Sequence, residues 1–275
     1  MPELPEVETV RRFLDKSISH NKIVNINIYV PKSIKNVPQE DFKLRLIGQR
    51  IEHISRKGKH ILFILDDYVL ISHLRMEGKY FYQKVDDEIN KKHLMMEFFL
   101  SNGMVLRYLD TRKFGTFHLI EKKQWEKNPL VTKIGKELFD EDITINYLKQ
   151  SWHKRKNATI KLVLLEQNTI AGIGNIYADE ILFKAKILPT RKIHELCDLE
   201  YQAIIDAYRE IMTHAIEHKG TTIATFHSQQ GVSGNYQKFL KVYGRSKQKC
   251  FICGTEIKKI KLNGRGTHYC PSCQK

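Results

Sequence analysis

From Val24 to about residue 120 the apolar positions recur with a period of two. The run VNINIYV alternates apolar and polar side chains, and ISRKGKHILFIL, YVLISHL, KYFYQ, HLMMEFFL, MVLRYL and GTFHLI follow as short β-rich runs. Turn chemistry separates them, such as Asp66-Asp67 and Ser101-Asn102-Gly103. Seven or eight strands at this spacing predict an antiparallel sandwich or barrel. Ahead of them, Val7, Val10, Phe13 and Leu14 repeat with a helical period. Pro5 suits the first helical position, and Glu6 and Glu8 suit the positive end of the dipole, so an N-terminal helix is expected at the edge of the β unit. After KNPLVTKIGKELFDEDI the pattern turns helical: ATIKLVLLEQ, NIYADEILFKA and LEYQAIIDAYREIMTHAIEHKG place apolar residues three and four apart, with Gly220 ending the last. A loop rich in Gly, Ser, Thr and Gln spans Thr221–Tyr236. There is no internal repeat and no low-complexity tract. The expectation is a multidomain α+β chain with modules at residues 1–133, 134–238 and 239–275.

Composition adds a partner. The 275 residues carry a net charge of +15, and lysines and arginines near phosphates gain free energy by releasing counterions, so a nucleic acid is favoured over a merely basic soluble enzyme. The last segment, Leu240–Lys275, has nine lysines or arginines against the single acid Glu256. A hydrophobic content of 41% is enough for real cores. The acidic N-terminus has no apolar core of a secretory signal, and HILFILDDYVLISHL is interrupted by Asp66-Asp67 well short of the ~20 residues of a membrane helix. A cytoplasmic protein with no membrane partner is expected.

Four of the five cysteines form two CxxC knuckles, Cys250/Cys253 and Cys270/Cys273, with a β-hairpin between them turning near Asn263-Gly264. Four thiolates on such spacers meet one zinc ion tetrahedrally and hold together a segment too small to fold alone. His268 is then a bystander, and Cys197 an ordinary half-buried thiol. AGIGNIYADE (171–180) is neither a dinucleotide fingerprint nor a Walker loop, which argues against a nucleotide or other organic cofactor. Its glycines fit equally a plain helix hairpin or a turn that seats a DNA phosphate at the next helix start, near Asn175. DTRKFG (110–115) reads most simply as a solvated turn with Phe114 in the core, although such a loop can also push an arginine and a phenylalanine into a base stack. Arg56, Lys57 and Lys59 surround Gly58 in a basic turn, and His73, Arg75 and Met76 lie close together in SHLRMEG. The start, MPELPEVETV, is either a helix start with stray acids or a nucleophile. Removal of Met1 would leave Pro2 as a secondary α-amine, far more often unprotonated at neutral pH than a lysine, with Glu3 beside it to move protons.

Together these motifs resemble the bacterial formamidopyrimidine-DNA glycosylase family. MPELPEVETV, GKHI, HLRMEG, DTRKFG, AGIGNIYADE, KGTTIATF, VYGR and the closing GRGTHYCPSCQ occur in the family's order, end to end. The resemblance implies an N-terminal β-sandwich, a helix–two-turn–helix domain and a zinc finger, with DNA in a basic cleft, and a monomeric enzyme that removes oxidised purines such as 8-oxoguanine from double-stranded DNA and cleaves the abasic site. It implies Pro2 as the imine-forming nucleophile, Glu3 as proton donor and Glu6 as the second acid of that start. Lys59 is associated with β-elimination and Arg265 with δ-elimination. DNA contacts map onto His93, Arg112 and Lys156, with His73, Asn175 and Lys161 as further candidates. Met76, Arg112 and Phe114 would form the wedge filling the emptied stack, and Thr221–Tyr236 the loop over the everted base. One structural zinc ion on Cys250, Cys253, Cys270 and Cys273 is implied.

The chain departs from the family at Thr111, Lys113 and Glu77, where Pro, Arg and Ser or Thr are commoner, which bears on the rigidity of the wedge loop and the choice of opposite base. Within KRKNATIK the cation that meets phosphate is open. Two rival readings stand beside this one: a non-catalytic zinc-ribbon DNA-binding protein, and a sibling glycosylase for oxidised pyrimidines.

Overall fold

The computed structural model describes residues 1–221 and 234–275. They fall into two compact units. The first comprises Met1–Thr132 and takes up the chain again from Thr221; the second comprises Lys133–Gly220 and Asn235–Lys275. The helical and cysteine-bearing segments thus share one unit, because Phe183 packs with Val242, Cys250, Ile257 and Cys270. No helix among the described residues is long and apolar enough to cross a membrane.

The first unit opens with α1 (Leu4–Ile18). Leu4, Val7, Leu14 and Ile18 are fully buried, and at about 1.5–3 kcal/mol per side chain this stripe outweighs the ordering of a short helix. Two four-stranded antiparallel sheets follow. One has the order β1 (Ile23–Ile28), β6 (Leu94–Leu100), β7 (Met104–Leu109), β5 (Lys79–Lys84). The other has the order β2 (Ile51–Lys57), β3 (His60–Leu65), β4 (Tyr68–His73), β8 (Thr116–Glu121). Their inner faces meet through Phe98 and Phe117 (centroids 6.5 Å apart) and Phe63 and Tyr80 (5.7 Å), so the β-sandwich expected from the alternation is present. The run ISRKGKHILFIL is two strands, because Gly58 takes φ +57° and reverses the chain between β2 and β3. The connection from β5 to β6 crosses over β7, and buried Arg107 of β7 holds it by donating to the carbonyls of Val85 (2.6 Å) and Asp87 (3.0 Å). Glu97, 2.8 Å away, balances that guanidinium. A short helix, α2 (Gln39–Leu46), anchored by only Phe42 and Leu46, has no counterpart in the periodicity of the sequence. The unit closes with the single turn α3 (Pro129–Thr132).

The second unit is built on α4 (Ile145–Trp152), α5 (Ile160–Leu165), α6 (Asn175–Lys184) and α7 (Asp198–Glu217) around Trp152, Tyr177 and Tyr208, all under 2% exposed. Gly220 follows α7 at φ +75° and donates to the Ala215 carbonyl, the expected stop. The hairpin β9 (Lys258–Leu262) and β10 (Arg265–Tyr269) turns at Asn263-Gly264, both left-handed as a tight hairpin requires. Buried Glu180 of α6 accepts the backbone N–H groups of Lys241, Val242 and Tyr243 at 2.8–2.9 Å, fixing the chain that enters the cysteine segment. Burial raises that carboxyl above its ordinary range against the pull of those three donors.

Candidate active site and metal centre

The N-terminal residues form a closed arrangement. Pro2, Glu3 and Glu6 are buried. Glu6 Oε2 accepts the Glu3 N–H (2.8 Å), and Glu6 Oε1 accepts both the N–H (2.7 Å) and the hydroxyl (3.0 Å) of Thr221. Both oxygens of Glu6 are thus occupied in holding Glu3 and Thr221. Of the expected loop Thr221–Tyr236, residues 222–233 lie outside the described residues.

Two residues further along α1, Glu8 meets Arg11 (2.7 Å), Arg12 (2.8 Å) and Arg56 of β2 (3.1 Å). Burial works to raise the Glu8 carboxyl, and the hydrogen bonds from Arg11 and Arg12 with the nearby charges more than offset it, so it sits below the usual carboxylate range. Arg56 also donates to the Gly58 carbonyl (2.9 Å). The helix that carries Pro2 and Glu3 is therefore braced, through Glu8 and Arg56, against the turn that carries Lys59, itself 5% exposed.

At the end of β4, His73 Nδ1 accepts the Arg75 N–H (2.9 Å), which puts the ring proton on Nε2. His60 of β3 stands edge-on to it, centroids 4.6 Å apart. Burial, with Arg75 close by, lowers His60 to about 4, and His73 is lowered further by burial, His60, Arg75 and Lys59. Both rings are neutral at physiological pH. Arg75 itself is left-handed (φ +56°), and Met76 beyond it is half-buried.

The DTRKFG loop is organised by its first residue. Asp110, 1% exposed, accepts the N–H groups of Arg112 (2.9 Å), Phe114 (2.9 Å) and Gly115 (2.8 Å), and its own N–H donates to the carbonyl of half-buried His93. Phe114 is 52% exposed, contrary to the core position that the motif alone suggests, and the Arg112 guanidinium lies 4.7 Å from its ring centroid. With three N–H groups drawn onto one buried carboxylate and Lys113 left-handed (φ +55°), the backbone turns the ring outward.

In the second unit, Lys161, a further candidate for DNA contact on the resemblance, lies in the interior. It is 1% exposed, and its ammonium meets Asp179 (2.6 Å), the Thr267 hydroxyl (2.8 Å) and the Gly266 carbonyl (3.3 Å). Asn175, the first residue of α6, donates to the same Gly266 carbonyl (2.9 Å). His268 bonds Asp179 through its N–H (2.8 Å) and ring (3.2 Å). A buried lattice thus fixes β10, leaving Arg265 at its start exposed. Lys154 and Lys156 are exposed, whereas Arg155 is taken by Glu166.

Every Sγ of Cys250, Cys253, Cys270 and Cys273 lies within 4.8 Å of the others, with 3.9 Å between Cys250 and Cys273 and 3.4 Å between Cys253 and Cys270. A tetrahedron of sulfurs at ≈ 2.3 Å from zinc has edges of about 3.8 Å, so these four thiols fit one zinc ion. Cys197, expected half-buried, is exposed. Sequence reading did not find Asp110, Asp179, Thr267 or the Glu8–Arg56 brace, because each acts on residues distant in the chain or on bare backbone, which leaves no spacing signature.

Comparison with known proteins agrees with this geometry. Residues 1–117 match the formamidopyrimidine-DNA glycosylase N-terminal domain, residues 134–227 the H2TH domain of the same enzymes, and residues 247–275 the zinc finger found in FPG and IleRS. The chain is 43% identical over 275 residues to the formamidopyrimidine-DNA glycosylase of Listeria monocytogenes, covering 100% of both. It superposes on the Lactococcus lactis FPG (MutM) in complex with Fapy-dG-containing DNA with a TM-score of 0.91 at 42% identity, covering 99% of this chain and 100% of that one. A MutM structure in complex with carbocyclic 8-oxo-G-containing DNA gives a TM-score of 0.92, again at 42% identity and covering 100% of both chains. Matched in all three segments and along its whole length, the chain belongs to the formamidopyrimidine-DNA glycosylase family.

Proposed function

We propose that this chain excises oxidised purines, 8-oxoguanine and formamidopyrimidines, from double-stranded DNA and then cuts the abasic strand by successive β- and δ-elimination. The observation that carries the reading is buried Pro2 and Glu3 at the head of a helix braced through Glu8 and Arg56 to the Lys59 turn. The lesion DNA bound by the solved relatives supports the choice of oxidised purines. Removal of Met1 gives Pro2 a secondary amine, and an α-amine near 7.7–8 is free base to about a tenth at neutral pH. Its lone pair attacks C1′ as the glycosidic bond breaks and its electrons leave with the base, Glu3 supplying a proton to the ring oxygen or the base. The amine then gives up its proton and the C1′–O4′ bond opens, with O4′ taking a proton, which leaves a cationic iminium between Pro2 and C1′, an electron sink. Loss of a C2′ proton, served by Lys59, expels the 3′ phosphate; loss of a C4′ proton, served by Arg265, expels the 5′ phosphate.

His73, His93, Arg112, Lys156 and Asn175 hold the DNA, and Lys161 acts beneath the surface by fixing Gly266 next to Arg265. Met76, Arg112 and Phe114 fill the space of the everted nucleotide, offsetting part of an unpairing cost of a few kcal/mol. Zinc, when bound by the four cysteines, supplies a tetrahedral crosslink and no chemistry of the reaction. The enzyme acts as a monomer on the DNA of the bacterial cytosol.

Borohydride reduction during turnover on an 8-oxoguanine duplex, followed by mass spectrometry, tests the mechanism. A crosslink on the Pro2 peptide is expected, and none from chain that retains Met1; Pro2→Gly keeps some imine chemistry through its primary amine. An adduct on an internal lysine overturns the nucleophile assignment, and no adduct at all favours a non-catalytic zinc-ribbon protein. Preference for thymine glycol over 8-oxoguanine would move the chain to the sibling specificity.

A further inference from the structure

Tyr108 of β7 is fully buried, yet its hydroxyl has no hydrogen-bond partner among the described residues. Its ring needs no such group: it packs against Phe117 (5.0 Å between centroids) and Tyr80 (4.9 Å), where a phenylalanine would serve as well. What the oxygen touches is two glycines. A Cβ added at Gly78 would stand 2.0 Å from the Tyr108 hydroxyl oxygen, and one added at Gly115 would stand 2.0 Å from the same atom.

Those glycines end the two segments that carry the wedge. Leu74–Gly78 links β4 to β5, and Asp110–Gly115 links β7 to β8. Since β4 pairs with β8 (His73 opposite Thr116) and β5 with β7 (Lys79 opposite Leu109), both segments cross from sheet to sheet at the same end of the sandwich, side by side. One bears Met76, the other Arg112 and Phe114. Each is closed internally, the first by the Gly78 N–H on the Leu74 carbonyl (3.0 Å) and the second by Asp110. Neither closure sets the distance between them.

We propose that Tyr108 is a positioning residue for the wedge: its hydroxyl, seated between Gly78 and Gly115, spaces the Met76 segment from the Arg112–Phe114 segment so that the three side chains enter the base stack as one body. The inference rests on the wedge role given to those side chains above. Removing the oxygen lets two glycine backbones close toward each other. A misplacement on the scale of an ångström is worth up to about a hundredfold in rate, so a loss of roughly tenfold is the expected size for a smaller shift.

The test uses full-length zinc-loaded protein and a duplex with 2-aminopurine beside 8-oxoguanine, read by stopped-flow fluorescence. Tyr108→Phe is expected to slow the eversion phase roughly tenfold. Its lyase rate on single-stranded abasic DNA, which has no stack to invade, and its Tm should stay at or above the wild-type values, since no hydrogen bond is lost. Gly115→Ala should slow eversion in the wild-type background and slow it somewhat less in the Tyr108→Phe background, because the nearest atom its Cβ meets, the hydroxyl oxygen at 2.0 Å, is gone while the ring carbons Cζ (2.7 Å) and Cε1 (2.8 Å) remain. If Tyr108→Phe everts the base at the wild-type rate while Met76→Ala and Phe114→Ala are slow, the spacer role is wrong and the wedge stands. If Met76→Ala and Phe114→Ala are as fast as wild type, the wedge itself is wrong. If Tyr108→Phe lowers Tm and lyase rate together, the residue is core packing and the inference fails.

Discussion

Lowering the pH should weaken the first unit through His60 and His73 before its carboxylates titrate. Burial and neighbouring cations hold His60 at about 4, and His73 lower still, against about 6.5 when unfolded. For a group whose folded pKa is depressed, the stabilising contribution is complete above the unfolded value and is lost as the pH falls toward the folded one. At pH 5 the unfolded ring is almost fully protonated and the folded His60 only about a tenth so, which is a linkage cost of about 2 kcal/mol. Even a folded value one unit higher leaves about 1.6 kcal/mol. With His73 contributing about as much, the pair removes about 4 kcal/mol between pH 8 and pH 5, a large share of a typical domain's 5–15 kcal/mol. The assay is urea unfolding of wild type and of the His60→Gln, His73→Gln double variant across that range, where the difference in slope isolates the pair, together with NMR titration of the two rings. Rings that titrate near 6.5, or identical slopes, would refute the reasoning. If His73 meets DNA as proposed, it does so as a neutral Nε2–H donor, and DNA affinity should carry no inflection from His73 near pH 6.5.

Lys161→Met leaves Asp179 buried without its cation and should cost about 3–5 kcal/mol in the unfolding of the second unit, with weaker DNA binding through Arg265; Lys161→Met with Asp179→Asn, which removes both charges and keeps an oxygen for the His268 N–H, should recover part of the stability, as melts would show. Asp110→Ala strands three backbone N–H groups and should cost about 3 kcal/mol while slowing base eversion far more than abasic-site cleavage in single strands. Chelating zinc should unfold the β9–β10 hairpin, since metal binding in such segments is their folding energy, and lower DNA affinity with a smaller salt slope, readable by circular dichroism and a salt series.

Strands, the long helices and the metal site are legible because each rests on a local repeat: period two around Val24–Ile28, period 3.6 around Ile204–Met212, and two CxxC knuckles. Pro2, Glu3, Met76, Arg112 and Phe114 are singled out by the resemblance and by no repeat. The burial of Lys161 leaves no local signal, because it depends on Asp179, eighteen residues on. Phe114 misleads because hydrophobicity predicts the core, but Asp110 dictates the backbone that turns it out. The α2 helix has two buried apolar anchors in eight residues, too few for periodicity to register.

The β4–β5 and β7–β8 connections lie at one end of the sandwich, and the hairpins at Asp66-Asp67 and Ser101–Gly103 lie at the opposite ends of their strands. That remote end is where the chain can be handled: a dye, a surface tether or a short insertion at Asn102 adds mass to a solvent-facing tip and leaves lesion processing untouched.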